Sequence, residues 1–243
     1  MNTGTLDEIS RKLIINIEVF KVTLQTAFRA KSIFNSNKED IENLIDIHTM
    51  IGGYGTGRRV GLEVLNKSAV VLITACWEAF IEDLCEEAFD FLLNNCTEYN
   101  QVPSKVRLLA SERLRSSQDK REVWDLAADG WKGVLLRHKS DTLKKYIGNL
   151  NTPKSVNVKN IYAEVFGIED ITKEWKRHKQ SSNKACDRLD KFIETRGAIA
   201  HRTSAEKTIQ KRYVESHLDF IKHLVDKTED AVRSHLKHAL GLN

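Results

Sequence analysis

The sequence predicts an all-α protein: a bundle of four long helices, with a helical insertion between its central helix and the next one. Three observations carry that expectation. The 243 residues include only two prolines and twelve glycines, few for a chain ruled by turns and loops. Hydrophobic residues make up 41% and charged residues 30%, the balance of a chain that buries a core, not of a disordered one. Apolar residues recur at three- and four-residue steps over long stretches, and no internal repeat or low-complexity segment interrupts them.

The elements follow in chain order. Leu6, Ile9, Leu13, Ile17, Phe20, Leu24 and Phe28 mark an amphipathic helix. A shorter helix is expected from Glu39 to Met50, with Ile41, Leu44, Ile45 and His48 inward. Gly52-Gly-Tyr-Gly-Thr-Gly57 then breaks the chain, because so many glycines cannot hold a helix. From about Gly61 to Leu93 runs the most apolar helix. Its start, Leu62, Leu65 and Ala69 to Ile73, is apolar nearly all round, which predicts a path through the middle of the bundle. Its second half narrows to Trp77, Phe80, Ile81, Leu84, Ala88 and Phe91, leaving Glu82, Asp83, Glu86, Glu87 and Asp90 to water.

The stretch from Asn94 to Ser182 is less regular, with helical pieces at 104–115, 120–128, 131–149 and 158–167. It is expected to be an insertion, about 96–182, on the side of a single domain whose core spans about 5–95 and 183–240. Ala185, Leu189, Phe192 and Ile193 form a further stripe that runs into Arg196. Thr203-Ser-Ala-Glu206 has the form of a capping box, and a last helix is expected through Ile209, Tyr213, Phe220, Ile221, Leu224, Val232 and Leu236.

Several function classes are set aside. The opening MNTGTLDEISRK is not a basic start followed by an apolar stretch, so no secretory signal is expected. The run Ala69–Trp77 falls short of the roughly 20 residues a membrane span needs. Cys76, Cys85, Cys96 and Cys186 have no CxxC or CxxH spacing, which fits reduced, buried thiols and a cytoplasmic protein. His235 and His238 share a helix face but have no partner at metal-site spacing, and no metal or other cofactor is expected. The glycine-rich loop is not a P-loop, since no Lys-Ser or Lys-Thr follows it.

The chemistry gathers in Arg196-Gly-Ala-Ile-Ala-His201-Arg202. A guanidinium stabilises phosphate, and an imidazole moves a proton near neutral pH. On an unbroken helix, residues five apart differ by about 140° and share no face, so Arg196 and His201 converge only if the helix ends between them. Gly197 and the capping box at Thr203 predict that break. Near a helix N-terminus, free amides favour an anion, and Arg202 adds a second guanidinium. Between Lys173 and Arg202 nine Lys or Arg face four acids, so positive charge collects beside the motif although the whole chain carries only +4. A solvated helix face explains the same charge. Trp175, next to Lys176 and Arg177, could stack on a base but carries no motif of its own.

Gly55-Thr-Gly-Arg58-Arg59, then Leu65-Asn-Lys-Ser-Ala-Val-Val-Leu72, then Ala75-Cys-Trp77-Glu78-Ala-Phe80 precede this R-x4-H signature. Together they resemble the HEPN superfamily of helical ribonucleases, and within it the RiboL-PSP-HEPN family, over about 50–93 and 185–205. The resemblance implies an HEPN-type bundle and a metal-independent endoribonuclease. It further implies a homodimer in which the Arg and His of two protomers build one composite site. Arg196 would hold the scissile phosphate, and His201 would act as general base or acid while the 2′-hydroxyl attacks. Products would be a 2′,3′-cyclic phosphate and a 5′-hydroxyl. Glu78 either orients Arg196 or forms a structural ion pair. Arg58 and Arg59 either meet the RNA backbone or belong to a solvated hinge. Many active members carry a polar residue where this chain has Gly197. The implied setting is defence, toxin action or RNA processing, with an RNA ligase, a phosphatase or an antitoxin as partner. The alternative is a non-catalytic HEPN module that binds RNA, nucleotide or a partner protein, and a plain helical scaffold is a third reading.

Overall fold

The computed structural model describes residues 28–53, 61–147, 152–200 and 208–242. Among them are seven α-helices: α1 (Ala30–Gly52), α2 (Glu63–Asn95), α3 (Ser104–Ser116), α4 (Gly130–Ile147), α5 (Ser155–Phe166), α6 (Ser182–Ala200) and α7 (Lys211–Ala239). Three short 3-10 turns, Tyr99–Gln101, Lys120–Leu126 and Ile171–Trp175, join them. The described part of the protein is all-α, with one isolated bridge, Arg177 to Gln180, as its only β-type pairing. The helix expected over Leu6–Phe28 lies outside the described residues except for Phe28, which is buried.

α1 runs antiparallel to α2, as Phe34 meets Phe80 at one level and Phe28 meets Phe91 at another. It starts nine residues earlier than the expected Glu39. The reason is tertiary: Glu87 of α2 accepts the backbone N–H of Arg29 at 2.8 Å and of Ala30 at 3.1 Å, so a distant carboxylate caps the helix. Gly53, at φ 69°, closes the far end by donating its N–H to the Thr49 carbonyl, a conformation open to glycine at little cost.

The burial of α2 reverses the expected order of its halves. From Trp77 to Leu93 it meets α1 through Phe80, α4 through Asp90 and α5 through Phe89. The first half is the less covered, with Val64 62% exposed, Leu72 39% exposed and Ala75 open as well. α2 is the one described helix long and apolar enough to cross a membrane, but half of its most apolar window is buried inside the protein. Its acids are not a plain solvated face either. Besides the Glu87 cap, Asp90 and Glu86 accept the buried Lys139 ammonium of α4 at 2.6 and 3.4 Å.

The buried side chains form one continuous cluster with two indoles at its centre. Trp77 stacks on Phe80 and meets Trp175 edge-on, both at 5.9 Å. Each indole N–H has an acceptor, as buried tryptophans require: Pro153 carbonyl at 3.1 Å for Trp77, and Thr228 hydroxyl at 2.9 Å for Trp175. Trp175 is therefore core, and is unavailable to stack on a base. Cys76, Cys85 and Cys96 are buried free thiols, and Cys186 is half-buried. His235 is half-buried, with its Nε2 2.9 Å from the Phe166 carbonyl, which makes it a packing residue.

α6 and α7 pack antiparallel, Arg188 donating to Ser216 and Tyr213 to Thr195. α7 begins at Lys211, so the Thr203–Glu206 sequence is not its cap, and Ile209 precedes the helix. Tertiary bonds hold that entry. Asn66 donates to the Ile209 carbonyl at 2.8 Å, and the Lys211 ammonium donates to the Thr49 hydroxyl.

Candidate active site

α6 carries Arg196 and Gly197 close to its C-terminal end and stays helical as far as Ala200. Gly197 itself is thus helical, and the described helix ends at Ala200, between Arg196 and His201, where the break was expected. One interior glycine costs a helix only about 1 kcal/mol, and the burial of Leu189, Phe192 and Ile193 on the same helix offsets it. A Cβ placed on Gly197 would meet nothing within 4 Å. Gly197→Ala should therefore stabilise the fold by roughly 0.5–1 kcal/mol, seen as a higher melting temperature. A lower one would contradict the continuous helix.

Arg196 and Glu78 of α2 are brought together. Both are half-buried. Burial raises the Glu78 pKa, and the positive charge of Arg196 partly offsets the rise. Neither side chain takes part in a direct ion pair among the described residues, and Arg196 Nε is shut from solvent with no acceptor. Glu194, two residues earlier, is not the partner of Arg196, because it accepts Lys154 at 2.9 Å. A guanidinium with an unused donor thus sits beside a carboxylate that attracts but does not engage it. Val64 and Ala75 share the arc of α2 that carries Glu78 by helical geometry.

The raised pKa has a consequence for stability. A carboxyl whose folded pKa lies above its unfolded value favours the fold below the unfolded pKa, and that contribution is lost as pH rises through the folded pKa. Charged Glu78 therefore works against the fold at neutral pH. Glu78→Gln should leave stability at neutral pH unchanged or raised, and should flatten its decline as pH rises through the carboxylate range. Denaturant titration at acidic and neutral pH checks this, and marked loss at neutral pH would identify a structural ion pair instead.

His201 and Arg202, like Arg58 and Arg59 and the Thr203–Glu206 sequence, lie outside the described residues. What the structure adds is the frame on either side of 201–207. On the far side stands a polar network that the motif reading did not contain: the Asn66 amide bonds Ile209, and His48 Nε2 lies 3.4 Å from Asn66 Nδ2. Asn66 is buried. With Glu63, Lys67 and Ser68 beside it, nothing in the local sequence sets it apart as an inward polar residue. On the near side, His217 stacks on Phe192 at 4.8 Å, and burial lowers its pKa. No cluster of three or more His, Cys, Asp or Glu side chains suited to an ion occurs among the described residues.

The family model of RiboL-PSP-HEPN matches residues 32–234. The chain belongs to the RiboL-PSP-HEPN family, the class that its helical bundle and its Arg196–His201 spacing had indicated. Searches of curated proteins and of solved structures each found no match.

Proposed function

We propose that this protein is a metal-independent endoribonuclease whose active site is completed by a second copy of the chain. The observation that carries this reading is the half-buried Arg196, with its unused Nε, held beside Glu78 at the edge of an uncovered apolar stretch of α2. In this reading Val64, Leu72 and Ala75 belong to the dimer face, which brings Arg196 and His201 of both protomers to one RNA strand. Arg196 binds a non-bridging oxygen of the scissile phosphate and the charge that develops there. Glu78 orients its guanidinium. His201 takes the proton from the 2′-hydroxyl as its oxygen attacks phosphorus. The bond from phosphorus to the 5′-oxygen breaks, and that oxygen leaves protonated by the second imidazole. A 2′,3′-cyclic phosphate and a 5′-hydroxyl remain.

Arg58, Arg59 and Arg202 contact the RNA backbone. The protein acts in the cytoplasm, in defence, toxin or RNA-processing chemistry. An RNA ligase and phosphatase that reseal the ends, or an antitoxin, are the partners this chemistry calls for. The test is incubation of purified protein with cellular RNA, with and without chelator, followed by analysis of the ends. Cleavage that survives chelation and leaves cyclic phosphates supports the proposal. Chelator-sensitive cleavage, or 5′-phosphate ends, overturns it.

A further inference from the structure

The 96–182 segment holds more than the net charge of the chain: 17 Lys or Arg against 11 Asp or Glu, a balance of +6 where the whole chain has +4. Its cations divide into two kinds. Several of those on α4 and α5 are neutralised in place, Arg137 by Asp125, Lys139 by Asp90 and Lys159 by Asp170, while Lys132 at the start of α4 has no ion-pair partner among the described residues. Those of α3 are not neutralised. Lys105, Arg107, Arg113 and Arg115 share their helix with one acid, Glu112, and none has an ion-pair partner among the described residues.

α3 forms one wall of a groove of about 860 Å³, closed by the Tyr99–Gln101 turn, the Lys120–Leu126 turn and the start of α4. Val102, Val134 and Leu135 line it with apolar surface, and Tyr99 and Trp131 present their rings. A cation lies over each ring, Arg107 at 5.8 Å from Tyr99 and Lys132 at 5.4 Å from Trp131. Arg107 Nε is buried and has no acceptor. Flat apolar surface next to unneutralised cations is what a single nucleic-acid strand needs, since its bases stack and its phosphates seek charge. The wall also holds two carboxylates, Glu98, which caps the Tyr99–Gln101 turn, and Asp129. An apolar peptide would satisfy the rings but bring no anion to Arg107 and the other cations of α3, which is costly for a buried guanidinium.

We propose that this groove is a binding site for single-stranded RNA, with unstacked bases on Tyr99 and Trp131 and adjoining phosphates on Arg107 and Lys132. Its distance from the cleavage chemistry suits a separate anchoring site. The end of α2 that leads into the groove lies about 26 Å along the helix from Glu78, at 1.5 Å per residue. The inference rests on the RNA-directed reading given above, and its test measures binding instead of cutting. A protein that binds but does not cut would refute the nuclease alone.

The probe is a fluorescent single-stranded oligoadenylate, titrated onto the His201→Ala full chain over a range of salt. Adding Arg107→Gln and Lys132→Gln should weaken binding about tenfold and lower the salt slope by about 1.4, the share of two phosphates on a single strand. The melting temperature should stay unchanged. Ultraviolet cross-linking, which does not depend on these substitutions, should place adducts on Tyr99 or Trp131. Equal affinity and slope in the two proteins would overturn the site, as would adducts confined to other parts of the chain. Duplex RNA binding as tightly as the single strand would also overturn it, because paired bases cannot stack on the rings.

Discussion

On the proposed mechanism, His201→Ala is expected to lower RNA cleavage by about 10²–10⁴ in rate, the loss for a missing general base or acid, and to leave the melting temperature unchanged. Arg196→Ala falls by a comparable factor, about 10²–10³ for a lost donor to the transition-state charge. Arg196→Lys does not rescue it, because an ammonium lacks the planar fork that grips two phosphate oxygens. The two losses do not add, since residues that act as one unit fail together. The composite site makes a sharper demand. A mixture of wild-type and His201→Ala chains forms dimers that hold one imidazole where the mechanism uses two. Activity that falls below the share of wild-type chains fits shared sites, whereas activity that tracks that share argues for sites complete within one chain. Full activity in His201→Ala alone would end the mechanism. Circular dichroism and melting separate chemistry from folding, as Arg196 belongs to no ion pair in the described structure whose loss would unfold the chain.

How much of this could be read from residues alone follows the range of the forces involved. Periodicity is local, so the stripes Trp77, Phe80, Leu84 and Leu189, Phe192, Ile193 were legible, and each of these side chains is buried. Helix ends set by distant groups were not. α1 starts at Ala30 because a carboxylate 57 residues away accepts its amide, and nothing near residue 30 announces that. α7 starts at Lys211 because Asn66 holds the Ile209 carbonyl across 143 residues, against the local hint of a capping box. Whether an apolar face is covered is likewise a tertiary fact. The first half of α2 carries the stronger apolar composition, yet α4 and α5 meet the second half, at Asp90 and Phe89, and Val64 stays exposed. The Arg196–His201 spacing was legible as a motif, and the nearness of Glu78 was one of two open readings. The electrostatic coupling of Glu78 to Arg196, and the unused Nε, needed coordinates.

The core makes the second large demand. Trp77→Ala is expected to cost about 3–5 kcal/mol, the range for deleting a buried aromatic side chain. A domain's whole stability is about 5–15 kcal/mol, so the loss removes a large share of it and lowers the melting temperature markedly. Three separate contributions vanish with the indole: the stack on Phe80, the edge contact with Trp175 and the bond to the Pro153 carbonyl. Trp77→Phe isolates the last of these. A phenyl ring keeps most of the packing but leaves the Pro153 carbonyl without its donor, a cost of about 1–3 kcal/mol for a buried unsatisfied acceptor. Trp124 supplies the control, since it is 76% exposed and its replacement by alanine should stay within about 0.5 kcal/mol. Chemical denaturation of the three variants tests the order Trp77→Ala, Trp77→Phe, Trp124→Ala. The Pro153 bond ties the entry to α5 onto α2 one residue before Glu78, so Trp77→Phe should also loosen the setting of that carboxylate. Folded Trp77→Phe protein should therefore lose RNA cleavage beyond what its unfolded fraction explains. A specific activity that merely tracks the folded fraction would confine Trp77 to packing.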